Sequence, residues 1–227
     1  MCSRRDWMFS TLFVSLFFPY HAAFAAGPFS YNANNGVSYA NRFATSTPSS
    51  RFFYTAPKDC TNFVSQCVWA AYGGYVPNND VTTKNNMSSK FRMVPKVWQG
   101  GTGGGVGNWE TVNLFWAYAI ARKTEGPVAT GYNNNLKYTS IANPRVTVRV
   151  GDVLQLRNGG SGNYTHSVYV TSILSGPVQT GRDWDMIRVA AHSNDRMNRP
   201  ASDLISAHGD SNCYLRGLSF SAASFQK

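Results

Sequence analysis

Acidic residues are scarce in this chain. Its 227 residues hold 11 Asp and Glu against 21 Lys and Arg, a formal net charge of +10. The basic residues are scattered singly, with no Lys/Arg run and no basic helix, which speaks against a nucleic-acid surface. Long apolar runs are missing too. Residues 8–18 are apolar but too few to span a bilayer, and no later stretch is apolar for long enough, so no stable membrane anchor is expected. Histidines number four, and neither His-Glu-x-x-His nor a paired Cys-x-x-Cys occurs, which speaks against a zinc centre. Residues 99–108 contain six glycines without the Gly-Lys-Ser/Thr ending of a phosphate loop; they read as a flexible linker or lid. No metal, nucleotide or other cofactor is expected.

Arg4 and Arg5 precede the apolar run, and Ala23-Phe24-Ala25 resembles a small-residue cleavage site. Residues 1–25 therefore read as a secretory signal peptide, leaving residues 26–227 as one exported domain, secreted or periplasmic. Removing them takes away two Arg and one Asp, so the mature net charge is +9. In an exported protein, expected to be monomeric, that charge suits anionic polymers such as a bacterial cell surface.

Cysteine is also sparse: Cys60, Cys67 and Cys213 remain after cleavage. An oxidising compartment favours one disulfide, and three thiols cannot all pair within one molecule. Cys60 and Cys67 lie in the stretch Asp59-Cys60-Thr61-Asn62-Phe63-Val64-Ser65-Gln66-Cys67-Val68, where Phe63, Val64, Cys67 and Val68 recur with helical spacing up to the stop at Gly73-Gly74. Asp59 suits the N-cap. Seven residues along a helix is roughly 10 Å, too far for a disulfide, so one of the pair joins Cys213 or none does. A catalytic Cys60 requires the pairing Cys67–Cys213; Cys60–Cys213 would remove the nucleophile. A thiol in a first helical turn meets unsatisfied N–H groups and the positive end of the dipole, both of which favour the thiolate. Burial as a core cysteine is the competing reading.

Along the rest of the chain, residues 31–45 predict a first helix, and 76–93 a long polar loop. Asn108 is expected to cap a third helix carrying Val112, Phe115, Trp116 and Ala119, and 126–143 predicts another loop. The period then becomes alternating. Val146, Val148 and Val150 lead into a strand at 152–156, followed by strands at 166–173 and 186–192 and one or two short strands in the tail. Helices first and strands later predict an α+β fold with N-terminal helices on one face of an antiparallel sheet.

A thiol nucleophile needs a base and a group that orients the base. His166 opens a strand whose same-face neighbours are Val168 and Val170, so its ring is expected to face the helix layer and Cys60. Hairpin counting about Gln179 sets His192 opposite His166 as orienter, although the apolar phase Ile187, Val189, Ala191 turns His192 to the other face unless a bulge intervenes. Asn194 and Asp195 are alternatives for that third role, and His208 reads as a surface residue.

The stretch Asp59 to Cys67 resembles the nucleophile signature of the putative amidase domain family, distant relatives of papain-like NlpC/P60 hydrolases. The likeness continues in Val37-Ser38-Tyr39-Ala40, Gly151-Asp152-Val153-Leu154-Gln155-Leu156, His166-Ser167-Val168-Tyr169-Val170-Thr171 and Ala191-His192-Ser193-Asn194-Asp195. The resemblance implies a papain-like α+β fold and cysteine-dependent amide hydrolysis, with Cys60 as nucleophile and His166 as base. The best expectation is an exported amidase or peptidase acting through a thioester on cell-wall peptidoglycan peptides. A secreted protease or toxin-like effector with the same chemistry, and a cell-wall-binding module in which Cys60 is structural, are the alternatives.

Overall fold

Six strands form one antiparallel sheet in the order β1-β6-β2-β3-β4-β5. The computed structural model describes residues 28–45, 59–101, 104–159, 162–176, 183–192 and 196–225; the expected signal peptide lies outside them. The strands are β1 (Val128–Lys137), β2 (Val153–Asn158), β3 (His166–Ile173), β4 (Ile187–Ala191), β5 (Arg196–Pro200) and β6 (Cys213–Ser221). The inner strands β2, β3, β4 and β6 alternate between two buried faces, whereas the outer β1 and β5 are largely exposed. Val153, Tyr169, Ala190 and Leu218 share a core with α1 (Ala33–Phe43) and α2 (Asp59–Ala71). Leu154, Leu156, Val168, Val170, Val189, Ala191 and Leu215 form a second core with α7 (Ala201–Ala207) and Trp184. Helices therefore cover both faces, where the sequence predicts one. The short α7 carries too few residues to display a period.

α2 is the centre of the first core. The sequence predicts one apolar face, but all thirteen residues are buried. Its polar positions are tolerated because they are hydrogen-bonded. Ser65 Oγ donates to the Trp109 carbonyl at 2.8 Å, and the Tyr39 hydroxyl donates to Gln66 Oε1 at 2.5 Å. α1 can lie close against α2 because Gly36 has no side chain: a Cβ there would overlap the Tyr169 hydroxyl and press on the Cys67 carbonyl.

Several expected loops are ordered elements. Within 76–93 lies α3 (Asp80–Ser88), capped by Asn79 Oδ1, which accepts from Thr82 N at 2.9 Å. α3 buries only Thr83, so it has no apolar stripe to read. Within 126–143 runs β1, an edge strand bent by an irregularity between Tyr132 and Leu136, with Asn133 and Asn135 at positive φ. In the glycine-rich segment, Gly100 and Gly105 sit directly against Trp109, where a Cβ would clash. Those two glycines pack rather than swing, contrary to the expected flexible linker. α4 (Gly107–Glu110) and α5 (Val112–Ile120) follow, broken at Thr111, so the helix expected from Asn108 comes in two pieces. α6 (Pro144–Thr147) replaces the expected extended lead-in at Val146.

The expected Cys67–Cys213 disulfide is absent: Cys60, Cys67 and Cys213 are all free. Cys67 belongs to the core around α2, whereas Cys213 belongs to the core around α7. The sheet stands between them, which rules out the 4.4–6.8 Å Cα separation that a disulfide usually needs.

Candidate active site

Cys60 is the second residue of α2 and is 5% exposed. Being in the first turn, its N–H is one of the four that no intrahelical carbonyl satisfies. The sulfur lies 3.7 Å from Thr61 Oγ1, and the side chain packs with Val112 and Tyr164. Thr61 Oγ1 is 3.1 Å from Ser167 Oγ on β3. Gln155 on β2 donates from Nε2 to Ser167 Oγ at 3.3 Å and to the Val112 carbonyl at 2.9 Å. Helix start, strand start and the head of α5 thus meet beside the thiol.

His166 occupies the first position of β3, next to Ser167. Its ring is turned away from the expected direction. It shares the phase of Val168 and Val170, which belong to the α7 core, and it stacks on His208 with centroids 5.0 Å apart. No hydrogen bond joins it to Cys60 among the described residues. The reason is that Ser167 and Tyr169, not Val168 and Val170, hold the α2 side of β3. His208, expected at the surface, follows α7 and is fixed by Nδ1 against the Leu204 carbonyl at 2.9 Å. No sequence signal marks it, since what brings it to His166 is the return of α7 across the sheet.

Burial pushes the His166 pKa down to about 4, assisted by His208 and Arg196, so the imidazole is neutral at pH 7. In the unfolded chain it titrates near 6.5. Between those values the unfolded state binds a proton that the folded state refuses, so stability falls as pH falls from about 6.5 to about 4 and levels off below. The loss is about 3 kcal/mol. Urea titrations at stepped pH should show the wild type losing that much relative to His166→Asn; parallel curves would refute the burial of this ring.

His192 takes the opposite face. The β3–β4 ladder pairs Tyr169 with Ala190 and Val170 with Val189, then slips by one residue beyond Val170. Continued past Ala191, that register sets His192 across from Ser167 rather than His166. His192 Nδ1 hydrogen-bonds Asp59 Oδ2, and Nε2 donates to the Phe43 carbonyl at 2.9 Å. Its ring stacks on Phe63 with centroids 4.2 Å apart. Asp59 Oδ1 accepts from Asn62 Nδ2 at 2.7 Å, and Asn62 Oδ1 accepts from Trp109 Nε1 at 2.7 Å. This relay ties the ends of α1 and α4 to the start of α2. With both nitrogens engaged by oxygen acceptors, His192 is not placed to orient His166; it is held against Asp59. Asn194 and Asp195 lie outside the described residues.

Asp152, in the Gly-Asp turn, accepts from the Tyr132 hydroxyl at 2.7 Å and from Arg149 N at 3.0 Å, and so is a turn residue. Among the described residues no group of three His, Cys, Asp or Glu could hold a metal ion.

The model of the putative amidase domain matches residues 30–216. This chain belongs to that family. The match takes in α2, the strand that starts at His166, and His192 just after β4. No curated protein and no solved structure matches the chain. A putative amidase domain points to amide hydrolysis, the cleavage of a carbon–nitrogen bond. In the amidase domain, the thiol of Cys60 is held at a helix start between Val112 and Tyr164.

Proposed function

We propose that the protein is an exported cysteine amidase or peptidase that cleaves amide bonds in bacterial cell-wall peptidoglycan peptides. Cys60 is the nucleophile and His166 the base. The observation that carries this reading is the Thr61–Ser167 contact of 3.1 Å, since those residues are the immediate chain neighbours of Cys60 and His166. His166 is neutral at pH 7, the form able to accept a proton, and catalytic hydrogen bonds often tighten only once substrate is bound.

In this mechanism His166 takes the thiol proton as Cys60 Sγ bonds to the carbonyl carbon. The oxyanion is met by the Cys60 N–H at the start of α2. The tetrahedral species then breaks its carbon–nitrogen bond, and the imidazolium passes its proton to the departing amine. Water, deprotonated by His166, attacks the thioester, releasing the acid and restoring the thiol. Asp59, Asn62, Trp109 and His192 hold the first turn of α2 in place for these steps. The mature charge of +9 supports adhesion to anionic wall polymers.

The test is mass spectrometry of muropeptides after incubating purified sacculi with the wild type and with His166→Ala. The expected result is a hydrolysis product, a gain of one water per cleaved amide, formed by the wild type and reduced by about 10²–10⁴-fold in the variant. Sacculi left unchanged by the wild type would remove the wall substrate.

A further inference from the structure

Arg216 is a buried guanidinium with no carboxylate beside it among the described residues. It projects from β6 to the α2 side of the sheet and is 6% exposed. Its Cζ lies 3.8 Å from the ring centroid of Tyr164 and 4.3 Å from that of Trp116. Nε donates to Gln155 Oε1 at 2.8 Å and Nη2 to Asn113 Oδ1 at 2.9 Å. A guanidinium has five N–H groups; the other three have no acceptor among the described residues, and no described Asp or Glu forms an ion pair with it. Burial lowers its pKa to about 10, leaving it charged at neutral pH.

Aromatic faces return less to such a cation than its desolvation costs. A hydrocarbon would fill this place more cheaply. Its surroundings connect it to the thiol. Tyr164, under the guanidinium, also packs on Cys60, and Gln155, which holds Nε, binds Ser167, the partner of Thr61. Asn113 follows Val112, the third member of the Cys60 cluster.

We infer that Arg216 is a specificity-determining residue that receives a carboxylate carried by the substrate next to its scissile amide. The inference rests on the reading of Cys60 as nucleophile and narrows the substrate class to amides flanked by a free carboxylate. A guanidinium offers a carboxylate two parallel N–H donors, and a neutral analogue leaves the cation without a counter-charge.

Glutarate and its neutral diamide, glutaramide, are suitable probes. Calorimetric titration of the Cys60→Ala protein should find glutarate bound at least about tenfold more tightly than glutaramide. Arg216→Met should erase that preference, and Arg216→Lys, which keeps charge without the fork, should weaken glutarate binding about tenfold. Glutarate should also slow alkylation of Cys60 by iodoacetamide in the unmutated protein. Equal binding of the two probes, no binding of either, or a preference that survives Arg216→Met would overturn the inference. Should Arg216→Met fail to fold, glutarate binding unchanged in Arg216→Lys overturns it equally. Glutarate that binds without slowing alkylation overturns the placement beside Cys60. If glutarate binding depends on Arg216 while Cys60→Ala leaves amide hydrolysis intact, the anion site stands and the nucleophile assignment falls.

Discussion

Cys60→Ala is expected to remove amide hydrolysis, lowering kcat by about 10⁴-fold or more, with little change in stability. Covalent catalysis has no partial substitute once the attacking atom is gone, and what remains is positioning and oxyanion binding. The side chain contacts Val112 and Tyr164 and is replaced by a smaller apolar one, so the core penalty is small. Thiol labelling supplies an independent check. Burial pushes the Cys213 thiol up to about 12 and Cys67 well above its ordinary value, so both stay protonated and slow. Iodoacetamide should therefore modify Cys60 alone, and peptide mapping should find hydrolysis lost in step with that single label. Full activity after stoichiometric labelling of Cys60 would sink the nucleophile assignment.

Asp59→Ala should be the most destabilising substitution near the site, by about 3–5 kcal/mol. It removes the carboxylate that meets His192 Nδ1 and Asn62 Nδ2, in a place where Asp59 is 7% and His192 1% exposed. Water cannot readily replace a partner at that depth, so the groups left behind keep their desolvation penalty. For a domain of this size the loss is about 10 °C in Tm. Asp59→Asn keeps the shape and one acceptor oxygen and should lose less. The double substitution Asp59→Ala/His192→Ala should cost clearly less than the sum of the single changes, because each single change already breaks the same contact. Additive losses in a thermal double-mutant cycle would show that the relay does not bind the start of α2 as a unit.

The sequence by itself determined the parts with a clean period or a stop signal. α2 was readable from its helical spacing and Gly73-Gly74, and β3 and β4 from alternation between turns. The α+β order came with them. Tertiary structure decided which way the strand side chains point. With helices on both faces, β3 is buried from His166 through Thr171, so Val168 and Val170 on one side are as apolar as Tyr169 on the other and alternation names neither face. His192 lies off the face of Ile187, Val189 and Ala191, as that apolar phase had it, and the β3–β4 register sets it across from Ser167, so it meets Asp59 instead of His166. The same two-faced burial separates Cys67 from Cys213, and the return of α7 brings His208 onto His166. Each of these depends on residues far apart in the chain meeting across a sheet, and local periodicity carries no information about such meetings.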